Sequence, residues 1–187
     1  MIRQQGLMLI EALISMLIAA VALLGTASLM VRSSRGEMES YQRVQALTLV
    51  QDMAARINAN RQVAACYSNG ATGLVAGNGA GTLPACAVAT PSPTATQAAT
   101  ANADLAAWNN ALLGASEVSG GNKIGTMVGA IGCVDQLDAV NNVYRVTVVW
   151  QGLMPTLAPS LACGVNKFGA DSMRRAVSVQ IRIAKLS

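Results

Sequence analysis

The sequence predicts an α+β fold in which one long N-terminal helix packs against an antiparallel β-sheet. An apolar N-terminal stretch is followed by good helix formers, and no proline occurs before Pro84. Residues 62–103 carry no charge and are rich in glycine, alanine, threonine and asparagine, as loops are. Toward the C-terminus, apolar residues alternate with polar ones, which is typical of strands. We therefore expect the helix first, a loop region next and the sheet last.

The N-terminal stretch is apolar enough to span a membrane. Residues 12–31 are twenty consecutive residues without a charge, mainly Leu, Ile, Val, Met and Ala. As a helix, at about 1.5 Å per residue, they match a hydrocarbon core of about 30 Å. Because helix formers continue through Arg61, we expect one helix over residues 7–61, roughly 80 Å long, with its first half in the membrane.

The second half of this helix has an apolar stripe at helical spacing, flanked by charged residues. Its members are Val44, Leu47, Val50, Ala54 and Ile57, and Leu49 and Met53 widen it. We expect this stripe to pack on the sheet.

Glu11 is the only charged residue in the apolar run that begins at Leu7. A carboxylate is costly in hydrocarbon unless it has a partner. One explanation is a signal anchor whose Glu11 reaches the lipid headgroups. Another is a cleaved secretory signal, because residues 20–22 have the small-x-small pattern of a cleavage site. The position of Glu11 inside the apolar run argues against the cleaved signal.

The composition argues against an enzyme. The chain has no histidine, which excludes histidine-based acid–base relays and most catalytic zinc sites. Asp135 with Asp138, or Asp171, are candidate acid–base carboxylates, but no nucleophile or metal cluster accompanies them. We expect no catalysis, no cofactor and no metal.

The formal net charge is +4, too small a surplus for a dedicated nucleic-acid binder. A membrane-tethered receptor for DNA is nevertheless an alternative, because cations cluster near the C-terminus and could contact phosphates. These cations are Arg174, Arg175, Arg182 and Lys185. Such a cluster is more often a solvated face of a sheet, so we expect no specific nucleic-acid partner.

Four cysteines, Cys66, Cys86, Cys133 and Cys163, all follow the predicted membrane segment, and none forms a C-x-x-C pair. Two disulfides in an oxidising compartment are expected rather than a zinc site. Three pairings are possible, and spacing alone does not choose among them. We favour Cys66 with Cys86 and Cys133 with Cys163.

The remaining elements follow in order. We predict a glycine-rich loop over residues 69–81 and an extended surface connection over residues 89–103. Residues 104–114 predict a short helix with Asp104 as its N-cap and Trp108 in the core. Strands are predicted at residues 126–134, 143–151 and 177–183, with a turn at Asn141-Asn142. These strands would form an antiparallel sheet with one apolar face.

The segment Gly6-Leu7-Met8-Leu9-Ile10-Glu11 resembles the prepilin signature of type IV pilins and pseudopilins. The resemblance implies the type IV pilin fold, cleavage between Gly6 and Leu7, N-methylation of Leu7, and a role for Glu11 as the fifth residue of the mature chain. There its carboxylate would neutralise the N-terminal ammonium of a neighbouring subunit and set the stagger between helices. Leu7 and Met8 depart from the commoner phenylalanine and small hydroxylated residue.

The C-terminal half resembles the PilV minor pilins, the type IV pilus modification proteins. The residues that resemble this family are Asp104-Leu105 with Trp108 and Leu112, Gly132-Cys133-Val134, residues 144–152, Cys163, and residues 174–178. The resemblance implies a leader at residues 1–6, a membrane and filament-core helix at 7–31, its continuation at 32–61, and a disulfide-stabilised head at 62–187.

Family resemblance also implies partners and a location. The partners would be other minor and major pilins, the prepilin peptidase/N-methyltransferase and the inner-membrane assembly platform. The chain would reside in the inner membrane with its head in the periplasm and then enter the pilus outside the cell. It would prime or cap pilus assembly and support twitching motility and adhesion. A pseudopilin of a type II secretion system, or a tethered receptor for DNA or adhesion, is the alternative.

Overall fold

A computed structural model of the chain describes residues 5–87, 94–115, 118–120, 122–123, 127 and 129–184. The chain forms two compact units, Met1–Ser40 and Tyr41–Ser187. The first helix, α1, spans Gln5–Ala59 and therefore belongs to both. In the first unit the described residues are all helical.

The second unit, called the head below, contains the last turns of α1 and all later elements. These are a 3₁₀ turn at Arg61–Val63, α2 at Ala64–Tyr67, a 3₁₀ turn at Gly70–Thr72, β1 at Leu74–Gly77, α3 at Ala95–Leu112, β2 at Val118–Ser119, β3 at Asn122–Lys123, β4 at Ile131–Asp138, β5 at Val143–Gln151, a 3₁₀ turn at Asp171–Met173 and β6 at Arg174–Arg182.

The main sheet has four strands in the order β1-β4-β5-β6, and every neighbouring pair is antiparallel. The predicted fold class is thereby confirmed: a long N-terminal helix packs on an antiparallel sheet. The predicted turn at Asn141-Asn142 lies between β4 and β5, and Asn142 has a left-handed φ of 51°. The Asp138 carboxylate holds this turn, because it accepts hydrogen bonds from the backbone N–H groups of Val140 and Asn141.

Two segments predicted as loops are regular structure. β1 lies inside the glycine-rich stretch of residues 69–81 and pairs with β4 from Leu74↔Val134 to Gly77↔Ile131. The helix predicted to start at Asp104 starts at Ala95 instead. The physical reason is the helix propensity of alanine together with burial at helical spacing, since Ala98, Ala101, Leu105, Trp108 and Leu112 are its buried residues. The remainder of the predicted connection, residues 89–93, lies outside the described residues.

Of the strand predicted at residues 126–134, residues 126 and 128 lie outside the described residues. The observed strand spans Ile131–Asp138, and residues 127, 129 and 130 do not belong to it. Pairing accounts for the C-terminal limit, because Asp138 is paired with Val143, the first residue of β5. The strand predicted at residues 177–183 is also longer than expected. It begins at Arg174 because β6 pairs with the whole of β5.

The core of the head lies between α1, α3 and the sheet. α1 contributes Ala46, Val50, Met53 and Ile57, and the sheet contributes Val134, Tyr144, Val146, Val148 and Trp150. The prediction was wrong for two members of the stripe, because the side chains of Val44 and Leu47 are 58% and 40% exposed. The buried face is set by what packs on it: Trp108 of α3 is fully buried against α1, and its Nε1 donates to the Leu49 carbonyl oxygen at 3.0 Å.

The opposite face of the sheet is also covered, which the prediction of a single apolar face missed. Ile131, Cys133 and Val149 pack there with Cys163 and Phe168 from the segment that joins β5 to β6. Alternating strand positions placed these side chains on the second face, but only the chain beyond β5 supplies their cover.

A partly buried polar network joins the end of α1 to α3. Asp104 accepts hydrogen bonds from Arg56 Nη1 at 2.6 Å and from the Tyr67 hydroxyl at 2.5 Å. Asn60 Nδ2 donates to the Tyr67 hydroxyl at 3.1 Å and to the Gln97 carbonyl oxygen at 2.8 Å. Asp104 is therefore a mid-helix tether and not the predicted N-cap. Burial first, and the hydrogen bond to Asp104 second, raise the pKa of Tyr67 far above its ordinary value.

Gly132→Ala is expected to lower the free energy of unfolding by about 1–3 kcal/mol, as overpacking does. A β-carbon at this position would overlap the Trp108 ring and the Leu112 side chain. Urea unfolding of the full chain in non-ionic detergent, followed by tryptophan fluorescence, measures the change. Gly81→Ala is the control, because a β-carbon there meets nothing within 4 Å and Gly81 has no left-handed φ. Equal midpoints for the two variants would contradict this packing.

The stability of the head should fall as the pH rises above about 10. There the unfolded chain releases the Tyr67 proton while the folded chain retains it, at up to about 1.4 kcal/mol per pH unit. Tyr67→Phe should be less stable at pH 7, by about 1–3 kcal/mol, because Asp104 and Asn60 lose a buried partner. Its stability should also decline less steeply between pH 9 and 11. If the free energy of unfolding of the two proteins, measured with urea, changed equally with pH, Tyr67 would not titrate as described.

Candidate assembly interface

The N-terminal half of α1 presents apolar side chains that the first unit leaves uncovered. Residues 9–31 are all exposed, and Leu17, Leu24 and Met30 are 67%, 72% and 76% exposed. The mean hydropathy of the helix reaches 2.3 over an 18-residue window. By length and composition, this helix can cross a membrane. An uncovered apolar surface of this extent requires lipid or another protein.

Two hydroxyl side chains in this segment, Ser15 and Thr26, donate hydrogen bonds within the helix. Ser15 Oγ donates to the Glu11 carbonyl oxygen at 2.8 Å and to the Ala12 carbonyl oxygen at 3.0 Å. Thr26 Oγ1 donates to the Leu23 carbonyl oxygen at 2.9 Å. These bonds make both side chains compatible with a water-free environment, since neither hydroxyl donor is left without an acceptor.

Glu11 is exposed on this helix and forms no ion pair among the described residues. A carboxylate in this position has to find a counter-ion outside the described chain, or water. Gly6 and Leu7 lie in the backbone of α1, five and four residues before Glu11. Cleavage between them and methylation of Leu7 stay predictions.

The outer face of α1 in the head adds a second apolar surface. Tyr41 and Val44 are 56% and 58% exposed, and Leu47 is 40% exposed. Two of these were expected in the core. Their exposure leaves α1 with apolar side chains directed away from the head as well as into it.

The cysteines form two disulfides, and the pairs are those favoured from the sequence. Cys66 joins Cys86, with Cα atoms 5.1 Å apart, and ties α2 to the segment before α3. Cys133 joins Cys163, with Cα atoms 6.0 Å apart, and ties β4 to the segment beyond β5. Each closes a loop for which the chain-entropy model gives about 3 kcal/mol of stabilisation.

The C-terminal arginines do not form the phosphate-binding cluster considered above. Arg174 is 1% exposed; its Nε and Nη2 donate to the Asp171 carboxylate at 2.7 and 2.9 Å. Its guanidinium also donates to the carbonyl oxygens of Leu161, Cys163 and Pro159. Arg175 is likewise used within the protein, because it donates to Thr156 and to the Met154 and Ser172 carbonyl oxygens.

Of the four cations in the predicted cluster, only Arg182 is exposed among those that the structure describes, since Lys185 lies outside the described residues. The two inward arginines instead hold the β5–β6 segment against the sheet. Most of their carbonyl partners could not be found from local sequence, because Leu161, Cys163, Pro159 and Met154 lie 11 to 21 positions away.

The three candidate acid–base carboxylates are also structural. Asp135 pairs with Arg145 at 3.2 Å. Hydrogen bonds from Asn141 hold the pKa of Asp138 below its ordinary value, and hydrogen bonds from Arg174 do the same for the pKa of Asp171. Within the described part of the chain, no three His, Cys, Asp or Glu side chains are grouped so as to hold a metal ion.

One protein family matches part of the chain. Residues 28–106, less than half of the sequence, match the model of the family described as Tt1218-like, type IV pilin Tt1218. No curated protein and no solved structure matches. The matched residues exclude the segment that contains Glu11, so the match and the N-terminal signature are independent. Together with the long helix on a four-stranded antiparallel sheet, the match supports a type IV pilin fold and a structural subunit, in agreement with the expectation that the chain is not an enzyme.

Arg174→Met should lower the free energy of unfolding by about 3 kcal/mol, because it leaves three carbonyl oxygens and a carboxylate without their buried donor. Lys167→Met, in the same segment but exposed, should change it by less than about 0.5 kcal/mol. Urea unfolding of the full chain in detergent compares the two variants. A loss for Arg174→Met no larger than that for Lys167→Met would contradict the role given to the buried guanidinium.

Proposed function

We propose that the chain is a minor pilin of the PilV type, a low-abundance subunit that primes or caps a type IV pilus and supports its assembly. Twitching motility and adhesion would depend on it through the pilus. Its activity is binding, and no catalysis is involved. The proposal extends the pilin match to a particular subunit class, on the resemblance of residues 104–112, 132–134 and 144–152.

The observation that supports this function best is the uncovered apolar helix with a single carboxylate. Residues 9–31 are exposed, and Glu11 is their only charge. In the membrane, lipid covers these side chains. In an assembled filament, the equivalent helices of neighbouring subunits cover them instead, and the helix passes from one environment to the other without refolding.

Glu11 fixes the axial offset between the helices of neighbouring subunits. Removal of residues 1–6 by the prepilin peptidase creates an ammonium group at Leu7, which the same enzyme methylates. Inside a helical core of low dielectric, the unpaired Glu11 carboxylate of one subunit and the ammonium of its neighbour attract strongly, and either group alone is costly. Only the stagger that pairs them satisfies both, so the pair selects one axial offset.

The proposed organisation follows from these roles. Residues 1–6 are the leader, residues 7–31 the membrane and filament-core segment, residues 32–61 the helix continuation, and residues 62–187 the disulfide-stabilised part of the head. The head lies in the periplasm before assembly, where its two disulfides form, and the inner-membrane assembly platform moves the subunit into the pilus. The exposed residues Tyr41, Val44 and Leu47 would contact other pilins.

Glu11→Gln is expected to leave processing intact but to lower incorporation. Intact mass and N-terminal sequencing of the membrane form should find wild type and variant both starting at N-methylated Leu7. Co-purification with other pilins in sheared pili should fall about tenfold or more. The reason is that loss of one paired charge in a low dielectric weakens the free energy of association by more than about 1.4 kcal/mol.

Glu37→Gln is the matched control, because Glu37 is an exposed carboxylate on the same helix outside the apolar run. It should assemble as wild type does. A wild-type chain that starts at Met1 or near Leu23 would refute processing as a prepilin. Unchanged co-purification of Glu11→Gln would refute the pairing role alone.

A further inference from the structure

Two adjoining cavities open at the end of the head where α1 stops. One, of about 490 Å³, lies between the residues that follow α1 and the neighbouring ends of β5 and β6. The other, of about 470 Å³, lies between the β4–β5 turn and the end of β6. Both are lined by Asn142, Ile183 and Ala184. The two cavities therefore adjoin each other, and together they are called the Asn142 groove below.

The walls of the Asn142 groove are fixed by hydrogen bonds. Asp138 holds the turn through the backbone N–H groups of Val140 and Asn141 and through Asn141 Nδ2 at 2.6 Å. The Ile183 N–H donates to the Asn142 carbonyl oxygen at 3.0 Å and ties the turn to the end of β6. A preformed groove loses little conformational freedom when a ligand binds.

The chemistry of the groove combines an apolar floor with cations at its rim. Ala64 and Ile183 are 6% and 4% exposed and form part of the floor. Arg61 lines the first cavity and Arg182 the second, and among the described residues no carboxylate lines either one. The charge of the groove is therefore complementary to an acidic ligand.

Neither arginine forms an ion pair among the described residues. Arg61 is exposed, and Arg182 donates a 3.3 Å hydrogen bond to Asn141 Oδ1. The Asp138 carboxylate, which accepts the three hydrogen bonds of the turn, acts electrostatically on Arg182. Its negative charge offsets one of the two arginines, so the described rim keeps a positive excess.

The arrangement favours a peptide over a nucleic acid. A phosphate backbone is bound by rows of cations, and base recognition without pairing uses exposed aromatic faces. Here Arg174 and Arg175 are turned into the protein, and Tyr144, the aromatic residue of the groove, is 1% exposed. Two separate arginines over an apolar floor suit an extended chain that offers carboxylates at its ends and a small apolar side chain between them.

We infer that the Asn142 groove binds an extended acidic peptide segment of a partner subunit, with carboxylates at Arg61 and Arg182 and an apolar side chain against Ile183. That the partner is a pilin subunit rests on the proposed function. The peptide chemistry rests on the groove alone. The groove would then provide a head-to-head contact in addition to the packing of the N-terminal helices.

The test uses the full chain in non-ionic detergent at low salt and a fluorescent peptide of alternating glutamate and valine, six residues long and blocked at both ends. Fluorescence anisotropy should report saturable binding. Arg61→Gln and Arg182→Gln should each weaken it about tenfold, the loss typical of a charge-assisted hydrogen bond. Ala65→Trp should abolish binding without changing the charge, because Ala65 is an exposed residue that lines the first cavity.

Arg43→Gln is the control, since Arg43 is an exposed arginine of α1 outside the groove, and it should bind as wild type does. The same peptide with glutamine in place of glutamate should not bind. Binding that survives Ala65→Trp, or that Arg43→Gln weakens equally, would overturn the groove site. Tighter binding of a short DNA duplex, lost in the same variants, would replace the peptide by nucleic acid. Because this assay needs no pilus, a failure here is distinct from a failure of the Glu11→Gln assembly test.

Discussion

The contact between the last turns of α1 and the main sheet is the one on which the rest of the head depends. Ala46, Val50, Met53 and Ile57 are 0% to 1% exposed, and they share one core with the buried residues of α3 and of the sheet. Their burial positions the end of α1, where Arg56 and Asn60 begin the polar network. That network in turn holds α3 through Asp104 and the Gln97 carbonyl oxygen.

A second layer of structure forms on the far face of the sheet by different means. The segment between β5 and β6 has little regular structure of its own, and a long segment of this kind is ordered only if something fixes it. Here the Cys133–Cys163 disulfide, the small apolar cluster around Phe168 and the buried guanidinium of Arg174 do so together. The buried charge is tolerated because the Asp171 carboxylate and three carbonyl oxygens satisfy it.

The two parts of α1 differ in burial, and in the proposed function this difference lets one helix serve both the folded head and an assembly. In the head, burial fixes one face of the helix. Over residues 9–31 no face is buried, so in the proposed function lipid, and then the helices of other subunits, would cover these side chains. The proposed pairing of Glu11 gives this otherwise unspecific apolar packing a single register, because hydrophobic contact is non-directional and an ion pair in a low dielectric is not.

Local pattern determined a large part of this architecture from the sequence alone. Several features depend on residues that are adjacent or one helical turn apart, so their spacing is visible in the chain. These features are the apolar run interrupted only by Glu11, the long proline-free helix, the alternation in β5 and β6, and the turn at Asn141-Asn142. The core position of Trp108 also followed from helical spacing. Cysteine spacing left the pairing open, and the favoured choice rested on which loops each bridge would close.

The tertiary structure decided what depends on partners distant in sequence. Ala46 rather than Val44 faces the core because Trp108, 59 residues beyond Leu49, packs on that side of α1. Residues 74–77 become a strand because β4 offers them an edge. Arg174 and Arg175 turn inward because carbonyl groups of a distant segment accept from them. Hydropathy and charge describe one residue at a time, whereas these outcomes are set by which surface each residue meets.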